Sequence, residues 1–177
     1  MDRCYSSSPE IVAANQESTT DLYISQLRHL NTFYTSLIRK KQIEITYRSK
    51  LIRQAISTHE RNGSNDRLCR IQSECVDLYY YWLNDLLRIK LPYDKCVKML
   101  HQSMVGNCYW FLAKYGHMKL RASVKYLNPM VYYKQAIAAY CSILSLIEND
   151  LPKQNEFYVY ITRRFSELIL DATNCNN

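Results

Sequence analysis

A chain of 177 residues with a net charge of +7, from 23 Lys and Arg against 16 Asp and Glu, is long enough for one domain with a real core and too short for two. Three glycines and four prolines are too few turn formers for a sheet protein of this size, whereas abundant apolar, basic and tyrosine residues suit long helices. The positive balance permits an acidic partner such as nucleic acid, phosphoprotein or membrane surface, and requires none.

No apolar run approaches the ~20 residues that a bilayer crossing needs, and the N-terminus lacks a charged-then-apolar leader. The expectation is therefore a soluble intracellular protein, cytoplasmic or nuclear, with no membrane partner. Seven cysteines, an odd number without close pairs, fit reduced thiols. Cys69, Cys75, Cys96, Cys108 and Cys141 fall within apolar helical patterns and are expected as small core residues.

Residues 1–20 hold Ser6-Ser7-Ser8-Pro9, an apolar patch at Ile11 to Ala14 and a polar run to Thr20, which predicts a flexible segment with at most one short helix. Ser8-Pro9 reads as a turn or helix start before it reads as a phosphorylation site. Thr20-Asp21 can cap a helix running to about Arg61, because Leu27, Leu30, Tyr34, Leu37, Ile38, Ile45, Ile52 and Ile56 recur at helical intervals. Its other side carries a polar stripe of Thr35, Arg39, Gln42, Thr46, Lys50 and Arg53. The run from Arg61 to Asp66, with Gly63 at its centre, is the clearest predicted loop.

A second helix is predicted from Asp66 to about Lys90 on Leu68, Ile71, Cys75, Leu78, Trp82 and Leu86, with Tyr79, Tyr80 and Tyr81 pointing to different sides. Leu91-Pro92 stops it. The third runs from Tyr93 or Asp94 to about Gly116 and contains Met104 to Lys114, the stretch around which the chain is organised. A glycine inside a helix costs stability, so Gly106 predicts a close approach to the backbone there. Residues 117–128 are basic, with Lys119, Arg121 and Lys125, and read as loop or frayed helix. Asn128-Pro129 opens a fourth helix that ends near Asp150, a fifth spans about Asn155 to Asp171, and residues 174–177 fray. The expected fold is an all-α antiparallel array of about five substantial helices over residues 21–173.

Met104, Gly106, Asn107, Tyr109, Phe111, Leu112, Ala113 and Lys114 fall at the spacing of a motif in the fifth helix of 14-3-3 proteins. Leu30-Asn31, Tyr34 and the basic cluster Arg39-Lys40-Lys41 resemble that family's third helix, and Ala139-Tyr140 with Pro152 its sixth. The resemblance covers roughly residues 22–171 and implies an interaction module with a peptide groove. The family grips phosphoserine or phosphothreonine with cations on its third helix and an arginine-tyrosine pair on its fifth. The corresponding positions are Thr35, Gln42, Trp110 and Phe111, a further arginine becomes Thr46, and the asparagine of the seventh helix falls at Tyr160 or Arg163. Only Arg39 remains as a cation on the Thr35-Gln42-Thr46 stripe. A phosphate dianion needs several fixed cations, so binding of the family's usual kind is not expected.

The expected groove therefore consists of Thr35, Arg39, Gln42, Thr46, Asn107, Trp110, Phe111 and Arg163, with Trp110 facing the groove and Phe111 its flank. It would hold a protein or peptide partner without requiring phosphorylation. Homo- or heterodimer formation stays open, as does a groove filled by another chain. The alternative class is a nucleic-acid-associated protein using Arg39-Lys40-Lys41, Arg48, Lys50 and Arg53, although no RNA-binding motif supports it. Scattered His29, His59, His101 and His117 and the lack of any Cys-x-x-Cys argue against a metal. His101 and Cys108 stand two turns apart on one helix, ~10 Å, too far for a nucleophile and its base. No catalytic residue and no cofactor site is expected.

Overall fold

The computed structural model describes residues 9–54, 58–115, 128–148 and 150–175, without the side chains of residues 9–18, 58–61 and 64. Five helices and no strand occur among them: α1 (Pro9–Gln54), α2 (Thr58–Arg88), α3 (Lys95–Tyr115), α4 (Pro129–Ile147) and α5 (Glu156–Asn174). The all-α expectation holds. The basic segment with Lys119, Arg121 and Lys125, the Gly116-His117 helix end, Ile56 and Ser6 to Ser8 lie outside the described residues.

Consecutive helices pack antiparallel. Glu44–Arg67, Lys41–Glu74 and Tyr34–Asp85 pair α1 with α2 in opposite chain directions. Tyr79–Phe111 and Leu86–His101 do the same for α2 and α3, and Tyr140–Asn107 and Tyr132–Tyr109 for α4 and α3. Two apolar clusters result. One joins α1, α2 and α3 around Leu27, Val76, Leu86, Val97 and Leu112, and the other joins α3, α4 and α5 around Tyr140, Ile143, Ile161 and Leu168. Helix α3 belongs to both, which is why none of its residues from Val97 to Ala113 is exposed.

Several boundaries differ from expectation. Helix α1 begins at Pro9, so no cap forms at Thr20-Asp21 and residues 9–20 continue into the long helix. The predicted loop at 61–66 is helical and lies within α2, whose Arg67 and Glu74 tie it to α1 through Glu44 and Lys41. Turn-forming residues there are outweighed by tertiary pairing, the usual limit on local propensity. The ends of α4 and α5 agree closely: Asn128 and Asn155 cap them by accepting from Met130 N and Phe157 N, and Pro129 occupies the first turn of α4.

Helix α4, at 19 residues and a mean hydropathy of 1.2, is long and apolar enough to cross a membrane, contrary to the expectation that no run qualifies. Burial accounts for one side of it, since Tyr133, Ala136, Tyr140, Ile143 and Ile147 are buried against α3 and α5, but a third of the span is buried in all and Val131 and Cys141 are exposed. Cys75 and Cys108 are buried as expected, but Cys69, Cys96 and Cys141 are exposed. They ride on apolar patterns at positions that face away from the neighbouring helices.

Gly106 meets its expected neighbour. A Cβ built there would lie 2.9 Å from Tyr140 Cε2 and 3.4 Å from Ala139 Cβ, so α4 approaches α3 over the glycine. The Tyr140 hydroxyl then donates to Asn107 Oδ1 at 2.8 Å. The glycine thus sets the distance at which that hydroxyl reaches its acceptor.

Candidate functional site

The polar stripe of α1 and the aromatic end of α3 border a groove made of two adjoining cavities. One, of about 390 Å³, lies between Gln42, Ile45 and Thr46 of α1, Gln72 and Cys75 of α2, and Phe111 and Tyr115 of α3. The other, of about 330 Å³, is walled by Asn31 and Thr35, by Tyr79 and Trp82, by Asn107, Trp110, Phe111, Lys114 and Tyr115, and by Tyr160 and Arg164 of α5. Phe111 and Tyr115 are common to both. From Thr35 to Thr46 the α1 wall runs about 16 Å, the length of roughly five extended residues.

Six of the eight expected residues, Thr35, Gln42, Thr46, Asn107, Trp110 and Phe111, are brought together. The roles of the two aromatics are reversed from expectation. Trp110 is 7% exposed and joins the α3–α4–α5 core, its indole N–H donating to Asp171 Oδ2 at 2.9 Å. Phe111 is the residue at the junction of the cavities, stacked on Tyr79 at 3.7 Å between centroids and near Tyr115 at 4.5 Å. The reason is helical geometry: adjacent residues on α3 point about 100° apart, and the α5 contact claims position 110.

Arg39 is exposed and lines neither cavity, standing on the rim between Thr35 and Gln42. Arg163 also lines neither and pairs with Glu167 at 3.0 Å. The α5 residues at the groove are Tyr160 and Arg164 instead. Arg164 is not among the expected residues, because its place depends on how α5 packs against α3, through Asn107 and Trp110. Yet Tyr160, Arg164, Glu167 and Asp171 step by four, three and four residues and so share one polar face beside the buried Ile161, Leu168 and Ala172.

Arg164 and Lys114 add two cations to this wall beyond the expected set, and both are occupied. The Arg164 guanidinium lies 4.1 Å from the Trp110 ring centroid, and donates to Asn107 Oδ1 and Glu167 Oε2, each at 3.1 Å. Lys114 Nζ donates to Asp171 Oδ2 at 3.0 Å. Hydrogen bonds from Arg163 hold the Glu167 carboxyl below its usual range. The hydroxyls of Thr35 and Thr46 are turned back on α1, donating to the carbonyls of Asn31 at 2.5 Å and Gln42 at 2.9 Å. Among the described residues, the wall groups without a hydrogen-bond partner include the amides of Asn31, Gln42 and Gln72, Asn107 Nδ2, the phenol of Tyr79, and the buried Trp82 Nε1 and Arg164 Nε. Burial pushes the Tyr79 hydroxyl well above its ordinary range, so it stays a neutral donor.

The remaining basic residues of α1 do not form a single patch. Lys41 pairs with Glu74 at 2.5 Å, and Arg48 lies 6.0 Å from the Tyr47 ring centroid on another side. Among the described residues no group of three His, Cys, Asp or Glu could hold a metal ion. His101 is buried with Nε2 donating to the Leu86 carbonyl at 2.9 Å, and burial raises the Cys108 thiol far above its normal range. No protein-family model, curated protein or solved structure matches the chain.

Proposed function

We propose that this chain is a non-catalytic protein-interaction module, a divergent relative of the 14-3-3 type, that holds a segment of another protein in the groove without requiring phosphorylation. The observation that carries the reading is the position of Phe111. An aromatic side chain floors the junction of two open cavities, where the resemblance would place a phosphate-gripping group. The cations on the opposite wall, Arg164 and Lys114, are engaged by Glu167 and Asp171. Freeing them for a phosphate would break charge-assisted bonds before any were made. Free amides beside an apolar floor suit a peptide backbone, which both donates and accepts.

The test is capture of partners from native extract by the full chain, by its Phe111→Ala variant and by Gln42→Ala, each with and without phosphatase treatment. Phe111→Ala is expected to lose the captured partner, Gln42→Ala to weaken it, and phosphatase to change neither. Loss of capture after phosphatase treatment would overturn the reading. Trp110→Ala is the less informative variant, because that side chain is buried and its loss costs about 3–5 kcal/mol of stability.

A further inference from the structure

The unspent charge around the groove is positive. Arg28, Arg39 and Arg53 are exposed and none is in an ion pair among the described residues. Arg28 precedes Thr35 by seven residues, Arg39 follows it by four, and Arg53 follows Thr46 by seven, so all three stand on the α1 face that turns towards the cavities. The carboxylate of α1 nearest this stretch, Glu44, faces Arg67 of α2 on the other side. Across the groove Lys114, Arg163 and Arg164 outnumber Glu167 and Asp171, so those two acids carry no net negative charge to the rim.

An anionic occupant fits this balance, and two macromolecules could supply one. Nucleic acid needs open aromatic faces for its bases. Here most faces are consumed, since Phe111 is stacked on Tyr79, Arg164 covers Trp110, and Tyr34 stacks on Trp82 with centroids 5.7 Å apart; Tyr160 is the one exposed ring in the lining, and one ring is no stacking platform for successive bases. The free amides and the apolar floor offer what a polypeptide needs instead.

Resting on the interaction-module reading above, we infer that the groove's partner is an acidic segment, its Asp and Glu side chains meeting Arg39 and its flanking arginines while an apolar side chain enters the cavity over Phe111. The cavities take roughly five extended residues, and a segment that also reaches both Arg28 and Arg53, ~37 Å apart along α1, needs roughly eleven. Complementary charge of this kind steers encounter and weakens as salt rises.

Selection of a short random-peptide library on the full chain tests this, followed by affinity measurement of the selected peptides against Arg39→Glu, Lys40→Glu and Phe111→Ala. The expected result is enrichment of Asp and Glu around one apolar residue, with affinity falling on the order of tenfold in Arg39→Glu, little changed in Lys40→Glu, and lost in Phe111→Ala. Arg39 and Lys40 are both exposed, so an unchanged melting temperature is expected for each, and Arg39→Gln serves if the reversal disturbs folding. Enrichment of neutral or basic peptides that still need Phe111 would overturn the acidic partner and leave the groove standing. No enrichment, or binding indifferent to both Phe111→Ala and Arg39→Glu, would overturn both. A uridine oligonucleotide that displaces the acidic peptides and binds more tightly would overturn the inference in favour of nucleic acid.

Discussion

Gly63 and Gly106 both lie inside helices, and a single added methyl group separates them. At Gly63 a Cβ meets nothing within 4 Å, so Gly63→Ala gains helix propensity without a clash and should stabilise by up to about 1 kcal/mol. At Gly106 the same methyl would press on the Tyr140 ring at 2.9 Å, and that ring is fully buried with its hydroxyl tied to Asn107. The ring cannot swing aside without losing the bond, so overpacking outweighs propensity and Gly106→Ala should destabilise by about 1–3 kcal/mol. Thermal melts of the two variants decide it, at roughly 2–4 °C per kcal/mol for a chain of this size. Melting of Gly106→Ala at or above the parent temperature would show that α4 can retreat from α3. The sequence already carried this contrast in part: a glycine among apolar residues of a confident helix announces a close approach, whereas one amid Asn, Ser and Asp imitates a loop.

Helix α5 is fastened to α3 by side chains converging on Asp171 and Arg164. Asp171 accepts from both Trp110 Nε1 and Lys114 Nζ, so Asp171→Ala leaves a buried indole N–H without a partner. That costs about 1–3 kcal/mol, read as a lower denaturant midpoint with α5 amides exchanging faster than those of α2; equal exchange in the two helices would contradict the fastening role. The existence and starts of α4 and α5 and the break before α3 were legible because Asn128-Pro129, Asn155 and the stop at Leu91-Pro92 are local chemistry. The course of α1 and the start of α2 were not, because Arg67 and Glu74 are held by residues 23 and 33 positions away, and no local signal encodes such pairings. For the same reason Arg164 was invisible until α5 was laid beside α3, even though its face could be read.

The five helices form a groove of which the α1 stripe was legible from periodicity, while the exchange of roles between Trp110 and Phe111 needed to know which neighbour claims each side of α3. The same stacked helices bury groups whose protons the fold retains. Burial, with the Asp85 contact second, pushes the Tyr34 hydroxyl up to about 12 from 10.0, and burial pushes Tyr140 up to about 12 against the opposing pull of Arg164. Burial likewise raises the Cys75 thiol to about 11 from 9.0. In each case the folded value lies above the unfolded one, so between them the folded chain holds protons that the unfolded chain has lost. The stability these groups contribute is fully present below pH 9.0 and falls from there through about pH 12, each tyrosine carrying on the order of 1–3 kcal/mol of the loss. On the acid side Glu74 is the opposite case: hydrogen bonding from Lys41, which outweighs its desolvation, holds its carboxyl below 4.5, so its contribution is present above that pH and fades as pH falls through the lowered value. Glu74 is more than a third exposed and screened by solvent, so the acid decline should be shallower than the alkaline one. Melting temperature measured across pH should therefore hold a plateau through neutrality and drop more steeply above pH 9.0 than below 4.5. In Tyr34→Phe the alkaline limb should flatten as stability at neutral pH falls, since Asp85 loses its donor. An alkaline limb unchanged in that variant would show that Tyr34 does not keep its proton in the folded chain.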